Sequence, residues 1–219
     1  KSEYNVAEQL FRRALEGYEK ALGADHPDTL KAVNSLGVLL MDLQRFGPNR
    51  DARYLKKSDY KGAEQLFRRA LSGREKALGP DHPETLITVS NFGGLLDEGK
   101  GDYEGAEKLY RRALSGREKA LGPEHPDTLN SVNKLGTLLS KKGDQEMAKK
   151  LLRLALEGRE KALGVDHPST LDSVRNLGII LRKKRDYEGA EKLYRRALEG
   201  FEKALGSDHP DTLATAYSL

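Results

Sequence analysis

Apolar residues recur along the chain at the spacing of one face of an α-helix. Over residues 168–181 they lie three or four positions apart, and a longer apolar stripe follows over residues 187–205. Polar residues separate the two stretches at 183–186, and Gly206 follows the second as a stop signal. This pattern predicts two successive helices, a shorter first helix and a longer second helix, each with one buried face.

The start of the first helix carries its own signal. Pro168 suits the first helical position, where an amide hydrogen would have no partner, and His167 is then the predicted N-cap. In most copies an acidic residue follows the proline, where it meets the positive end of the helix dipole. These acidic residues are Asp28, Glu84, Asp127 and Asp211.

The helix pair repeats along the whole chain. Residues 186–198 match residues 102–114 without a change, and the five histidines lie 56, 43, 42 and 42 positions apart. The basic period is therefore 42, with 14 extra residues in the first interval and one in the second. A fixed period of this length predicts a repeat array, in which each unit packs only on its neighbours.

The array over residues 1–219 divides into four complete repeats with a half-unit at each end, as in a fragment of a longer array. The complete repeats span residues 24–79, 80–122, 123–164 and 165–206. The half-units are a second helix at 1–23 and a first helix at 207–219. The 14-residue insertion falls near residues 41–58, with a turn expected at 45–50 and a helical turn at 51–57. It is either a binding loop or a tolerated surface insertion.

Three features of the repeat resemble the tetratricopeptide repeat. They are a Leu-Gly pair in the first helix, a small residue early in the second, and an aromatic residue followed by another alanine. The features appear at Leu36-Gly37, Leu135-Gly136 and Leu177-Gly178, at Ala63, Ala106, Ala148 and Ala190, and at Phe67/Ala70, Tyr110/Ala113 and Tyr194/Ala197. The longer second helix, which gives the 42-residue period, is similar to that of kinesin light chain. The resemblance implies an all-α, right-handed α-solenoid (superhelix) that binds a protein or peptide in a concave groove lined by first helices.

Composition fits an elongated array. Hydrophobic residues make up only 37% of the chain, but they are strictly periodic, so disorder is not expected. The net charge of +4 comes from interspersed charges, and the paired arginines of the second helices lie beside glutamates on a solvated face, so we expect no nucleic-acid partner. No apolar run predicts a membrane span. The lack of cysteine and of a leader fits a reducing, cytoplasmic location.

The sequence contains no motif of an enzyme or of a cofactor site. A glycine-rich phosphate loop and a nucleophile elbow are both missing, so we expect neither catalysis nor a bound cofactor. The histidines occur once per repeat and should not converge on a metal, since zinc needs three or four ligands around one point. Their role is expected to be structural.

An asparagine recurs on the predicted concave face of every complete repeat. Its amide can pair with both the N–H and the C=O of an extended peptide. In the kinesin light chain family, asparagines at this place engage the cargo peptide, and the resemblance carries that role to Asn91 and Asn176. Asn34 and Asn133 lie one residue earlier. The alternative is that these amides tie adjacent first helices together.

Charges on the same face change sign along the array. Asp97 and Glu98 make the second complete repeat acidic, whereas four cations make the later repeats basic: Lys141, Arg175, Arg182 and Lys183. This gradient predicts that a peptide with acidic residues binds over the third and fourth repeats. The alternative is an ordinary solvated face.

The main functional interpretation is a scaffold that binds an extended or short helical peptide. The alternative is a self-associating array that stacks end to end through its terminal helices. One further hypothesis concerns glycines inside the second helices, such as Gly116, each of which costs ~1 kcal/mol relative to alanine. We expect them to let the backbone of the next repeat approach closely.

Overall fold

The computed structural model describes residues 2–46 and 60–219, and this part of the chain is helical apart from its turns. The even-numbered helices below are the first helices of the repeats, and the odd-numbered helices are the second. They are α1 (Ser2–Leu22), α2 (Pro27–Phe46), α3 (Tyr60–Leu78), α4 (Pro83–Gly94), α5 (Tyr103–Leu121), α6 (Pro126–Lys142), α7 (Gln145–Leu163), α8 (Pro168–Lys183), α9 (Tyr187–Leu205) and α10 (Pro210–Ala216). A short π-helical segment, Leu95–Lys100, continues α4.

The chain divides into two compact units, residues 1–116 and residues 117–219. In the first unit, α2 packs against α1 and α3, and α3 packs against α4. In the second unit, α7 packs against α6 and α8, and α9 packs against α8 and α10. Within both units these helices pack against their neighbours in the sequence, as in an α-solenoid of helix–turn–helix repeats. The predicted all-α repeat fold is confirmed.

The glycine of the Leu-Gly pair receives the large side chain of the second helix. A Cβ atom at Gly178 would lie 2.8 Å from the Tyr194 ring, and one at Gly93, which follows Phe92 in place of the leucine, would lie 2.8 Å from the Tyr110 ring. Both tyrosines are buried. Any side chain at these glycines would have to displace a packed ring. The glycine of the first helix and the aromatic residue of the second helix, which were separate features of the sequence, therefore contact each other.

The recurring Asp-His-Pro-x-Thr-Leu sequence joins one repeat to the next. His167 accepts a hydrogen bond at Nδ1 from the Ser169 N–H (3.1 Å), as an N-cap does. The Thr170 hydroxyl donates to the carbonyl of Gly164 (2.8 Å), whose φ of +93° ends the preceding helix. The predicted N-cap at His167 and the predicted stop before Gly206 are both confirmed.

The glycines inside the second helices accommodate a leucine and not the backbone of the next repeat. A Cβ atom at Gly116 would lie 2.7 Å from Leu86, and one at Gly158 would lie 2.5 Å from Leu129. Each leucine belongs to the first turn of the first helix of the same repeat. The hypothesis was therefore right about close approach and wrong about the partner, because helix periodicity does not reveal which neighbour fills a gap.

The extra residue of the second interval is accommodated by the π-helical segment. A π turn closes its hydrogen bonds over five residues instead of four, so it accepts an inserted residue without breaking the helix. Gly99 lies against the Tyr60 ring, where a Cβ atom would be 2.8 Å away. The Lys100 ammonium donates to the Glu64 carboxylate (2.7 Å) and holds the segment against α3.

The structure describes only the first residues of the 14-residue insertion near residues 41–58, up to Phe46. Helix α2 extends to Phe46, so the turn expected over residues 45–50 does not begin at Arg45. The rest of that turn and the helical turn expected at 51–57 lie outside the described residues.

Candidate functional site

The asparagines of the first unit join neighbouring first helices. The Asn91 amide of α4 donates to the Asn34 side-chain oxygen of α2 at 3.4 Å. Asn34 is buried, whereas Asn91 is half-buried. Asn91 is therefore the one of the two that an incoming chain could reach.

The asparagines of the second unit form a similar link. The Ser173 hydroxyl of α8 donates to Asn133 Oδ1 of α6 (3.1 Å), and Asn133 Nδ2 donates to Asp172 Oδ2 (3.4 Å). Asn176 donates to the same carboxylate oxygen at 3.3 Å, within α8. Asn133 is buried and Asn176 is half-buried. In each unit, one asparagine mainly supports the packing and the other stays accessible.

The guanidinium of Arg175 is already paired. It donates to Asp172 of its own helix (2.6 Å) and to Asp211 of α10 (3.1 Å), and it lies 5.6 Å from the centre of the Phe201 ring. Its side chain is only 17% exposed. Two carboxylates neutralise this cation, so it adds little positive potential to the surface.

The other predicted cations lie at the ends of α6 and α8. The Lys183 ammonium donates to the carbonyl (3.2 Å) and the hydroxyl (3.0 Å) of Ser140, which fixes its position without neutralising it. Arg182 is exposed and forms no ion pair with any residue that the structure describes. Lys141 is exposed at the end of α6. We refer to these three residues and Asn176 together as the open face of α6 and α8; Lys183 contacts α6, whereas Arg182 lies beside Tyr187 and Tyr194 of α9.

The two predicted acidic residues lie in the π-helical segment. Asp97 is buried, whereas Glu98 is exposed. The extra residue of this segment changes the register of the helix after Gly94, so the spacing read from the other repeats does not place these side chains. Neither belongs to the second unit, which holds the cations.

Sequence reasoning missed a buried arginine at each of three repeat junctions. Arg74, Arg117 and Arg159 lie in the second helices and are almost completely buried. Each donates from Nη1 to a backbone carbonyl and to a hydroxyl of the next first helix, and these hydroxyls belong to Thr88, Ser131 and Ser173.

Burial lowers the pKa of all three guanidinium groups, because a charge is poorly solvated inside the protein. A signal was present in the sequence. The same position holds Phe201 in the last complete repeat, within the apolar stripe, so a buried site could have been expected there.

Arginines of the paired positions in the second helices form ion pairs with glutamates. Within α5, Arg111 pairs with Glu107 one turn earlier, and Arg112 reaches Glu75 of α3, both at 2.7 Å. The same two kinds of pair recur as Arg12–Glu8, Arg68–Glu64 and Arg195–Glu191 within helices, and as Arg69–Glu19 and Arg196–Glu160 between helices. They cover the outer face of the second helices with balanced charge.

Two other kinds of feature are missing from the described part of the chain. Residues 2–46 and 60–219 contain no helix that is both long and apolar enough to cross a membrane. Over the same residues, no three histidine, aspartate or glutamate side chains come together as a metal site would require.

The helix pairs, their glycine contacts and their capped junctions define a repeat scaffold of the α-solenoid class. Models of the tetratricopeptide repeat match residues 2–28, 54–114, 90–161 and 170–211. The chain belongs to the tetratricopeptide repeat family. None of the curated proteins compared with the chain matches it.

Solved structures share the fold at low sequence identity. One is a Podosopora anserina protein assigned as a kinesin light chain with nearly identical TPR-like repeats, at 20% identity and a TM-score of 0.66, covering 93% of this chain and 90% of that one. BtubC (BKLC) from P. vanneervenii has 22% identity and a TM-score of 0.67, covering 95% and 76%. YrrB, a TPR protein with an unusual peptide-binding site, has 19% identity and a TM-score of 0.50, covering 95% and 98%.

Proposed function

We propose that this protein-interaction scaffold binds an extended peptide with acidic residues along the open face of α6 and α8. Arg182, Lys183 and Lys141 would contact the carboxylates of the peptide, and the Asn176 amide would pair with its backbone. The observation that carries the proposal is the exposed Arg182, which no carboxylate neutralises in the part of the chain that the structure describes.

Lys183 supports the same interpretation. The Ser140 carbonyl and hydroxyl hold its ammonium group in place, so little side-chain freedom is lost when a carboxylate binds it. Arg175 is not assigned a ligand, because Asp172 and Asp211 already occupy it. The peptide-binding site of YrrB is consistent with a peptide ligand for this fold.

Charge reversal tests the proposal. Peptides are selected from a displayed random library with the wild-type chain, and their affinities are then measured for Arg182→Glu/Lys183→Glu. We expect acidic peptides, a loss of binding in this variant, and weaker binding as salt rises. The matched control is Lys161→Glu/Lys203→Glu, which makes the same charge change on exposed residues of α7 and α9. Equal losses in both variants, or selected peptides without acidic residues, would refute the proposal.

End-to-end association is the second candidate function. The last turns carry exposed apolar side chains at Leu213, Tyr217 and Leu219, and α1 exposes Leu10 and Phe11. A first helix and a second helix of this kind could complete a repeat between two molecules. Light scattering over a range of concentrations tests this: the mass should rise with concentration in the wild-type chain and remain that of a monomer in Leu10→Glu.

A further inference from the structure

The buried arginines of the repeat junctions do not all have the same partners. Arg74 Nη2 donates to the carboxylate of Glu84 at 2.8 Å, and Glu84 is the acidic residue that follows the proline of the next first helix. Arg159 occupies the equivalent position of α7, but Ser169 takes the place of that glutamate. The hydrogen bonds of Arg159 go to a carbonyl, a hydroxyl and an amide oxygen, and none goes to a carboxylate that the structure describes. This junction therefore holds a buried cation without its acidic partner.

The hydrogen-bonding capacity of Arg159 is also incomplete. Its Nη1 donates to the carbonyl of Ser169 and the hydroxyl of Ser173, and its Nη2 donates to the side chain of Asn130. Its Nε is buried and has no hydrogen-bond partner in the described part of the chain. Burial lowers the pKa of this guanidinium, and the charge of Asp172 opposes that effect. A guanidinium has more N–H donors than these bonds use, so Arg159 can still donate to an anion.

A cavity of about 230 Å³ lies beside Arg159. The corresponding cavity beside Arg74 has about 170 Å³, and Glu84 is one of the residues that line it. The larger volume agrees with the shorter side chain of Ser169. It exceeds the space of several water molecules, so it can hold an acidic side chain. Residues of five helices line the larger cavity, among them Asn130, Arg159, Ser169, Asp172, Phe201 and Asp211.

The two aspartates of the cavity are engaged by other groups. Asp172 accepts from Arg175 at Oδ1 (2.6 Å) and from two asparagine amides at Oδ2. Asp211 accepts from the same arginine at Oδ1 (3.1 Å). The guanidinium of Arg175 offsets part of their negative charge, and neither aspartate forms a hydrogen bond with Arg159.

We propose that the cavity at Arg159 binds the carboxylate of an aspartate or glutamate side chain of the peptide ligand. This carboxylate would accept a hydrogen bond from Arg159, as the Glu84 carboxylate does from Arg74 Nη2. The site adds a specific contact to the proposed peptide-binding function and rests on it.

The cavity and the predicted peptide contacts lie on one side of α8. Ser169, Asp172, Asn176 and Lys183 fall within about 60° around the helix axis, because their spacing follows the helical repeat. The distance from Ser169 to Lys183 is about 21 Å along the axis, which an extended peptide covers with about six or seven residues. One peptide can therefore reach the cavity, the Asn176 amide and Lys183.

Replacement of the serine by glutamate tests the site. Ser169→Glu places a carboxylate of the chain where Glu84 lies at Arg74, which should exclude the carboxylate of a ligand. Acidic peptides are selected on the wild-type chain from a displayed random library, and their affinities are measured by fluorescence anisotropy. We expect at least about tenfold weaker binding to Ser169→Glu. Its melting temperature should be unchanged or higher, because Arg159 gains an ion pair, and this measurement excludes misfolding as the cause.

The matched control is Ser207→Glu, which makes the same charge change at an exposed residue of the same unit. It should bind the peptides as the wild-type chain does. Equal affinity of Ser169→Glu and the wild-type chain would overturn the inference, as would an equal loss in both variants.

Peptide variants identify the carboxylate itself. Each aspartate or glutamate of a selected peptide is changed in turn to asparagine or glutamine, and binding is measured on the wild-type chain and on Ser169→Glu. One of these changes should weaken binding to the wild-type chain at least about tenfold and have little effect on Ser169→Glu, because both substitutions remove the same interaction. Changes that act equally on the two proteins would overturn the inference.

The same measurements separate this site from the open face of α6 and α8. If Ser169→Glu abolishes binding and Arg182→Glu/Lys183→Glu does not, the open-face contacts are refuted and the cavity site is supported. The reverse result would overturn the cavity site alone. A library without enriched acidic peptides would refute both.

Glutarate is the second probe, because a free carboxylic acid carries the same group as an acidic side chain. We expect it to bind the wild-type chain far more weakly than a selected peptide does. If glutarate binds as tightly as the peptide and loses its binding in Ser169→Glu, the ligand is a free acid and the peptide assignment is overturned.

Discussion

The guanidinium of Arg159 in α7 donates a hydrogen bond to the hydroxyl of Ser173 in α8 at 2.8 Å, and only 3% of the arginine is exposed. A second bond from the same nitrogen reaches the Ser169 carbonyl at 2.6 Å, and Nη2 donates to Asn130 at 3.1 Å. A buried charge is tolerated only when such partners surround it. The arginine therefore acts as a polar link between successive repeats.

Removal of this link should be costly. We expect Arg159→Ala to lower the free energy of unfolding by about 2–4 kcal/mol, because it leaves a cavity and removes the hydrogen bonds to the Ser169 carbonyl, the Ser173 hydroxyl and the Asn130 side chain. Arg159→Phe should cost less, since Phe201 fills the equivalent place in α9. There the Thr215 hydroxyl donates to the Asp211 carbonyl at 2.7 Å, so that carbonyl keeps a partner without an arginine. Urea denaturation of both variants checks this order, and a phenylalanine variant no more stable than the alanine variant would contradict it.

The glycines of the second helices should respond in opposite directions to alanine. A Cβ atom at Gly158 would clash with the buried Leu129, so Gly158→Ala should destabilise the chain by about 1–3 kcal/mol. Gly17 occupies the same position in α1, but a Cβ atom there would meet no side chain or neighbouring helix within 4 Å, so Gly17→Ala should stabilise the chain by up to about 1 kcal/mol. Thermal melts of the two variants decide the matter: shifts in the same direction would refute the steric explanation.

Deletion of Gly99 tests the origin of the π-helical segment. Without this residue the second interval returns to the common period, so we expect a continuous α-helix and an unchanged or higher melting temperature. Deletion of Lys141 is the control, because α6 has no extra residue and should lose its register. The readouts are circular dichroism and hydrogen exchange of α4. A Gly99 deletion as damaging as the control would show that the π turn is required by the fold.

The carboxylate of Glu64 should contribute to stability in a pH-dependent way. Hydrogen bonds from Lys100 and then Arg68 lower its pKa below the ordinary 4.5, while burial opposes them. Because the folded pKa is below the unfolded value, the contribution is present above pH 4.5 and is lost as the pH falls through the folded pKa. Glu64→Gln should therefore be about 0.5–1 kcal/mol less stable near neutral pH and approach the wild type in acid. Denaturant midpoints across the pH range measure this, and parallel curves would contradict it.

The sequence predicted the fold and the helix boundaries closely, because both depend on local signals. A histidine before a proline marks a helix start and a glycine marks its end, whatever lies elsewhere in the chain. The bounds of α9, Tyr187–Leu205, therefore follow from the residues around them.

Which side chains of the candidate site are already paired depends on residues that are distant in the sequence. Arg175 and Arg182 look alike in the sequence, yet the structure pairs Arg175 with Asp211, 36 positions away, and leaves Arg182 exposed. The amides of Asn34 and Asn91 are likewise joined across 57 positions.

Local periodicity therefore determined that the chain forms repeated helix pairs and which side of each helix is buried. Only the tertiary structure decided which charges are neutralised, which arginines lie inside and which leucine fills each glycine gap. The physical reason is that helix formation depends on near neighbours, whereas the potential at a surface depends on every charge that packing brings within a few ångströms.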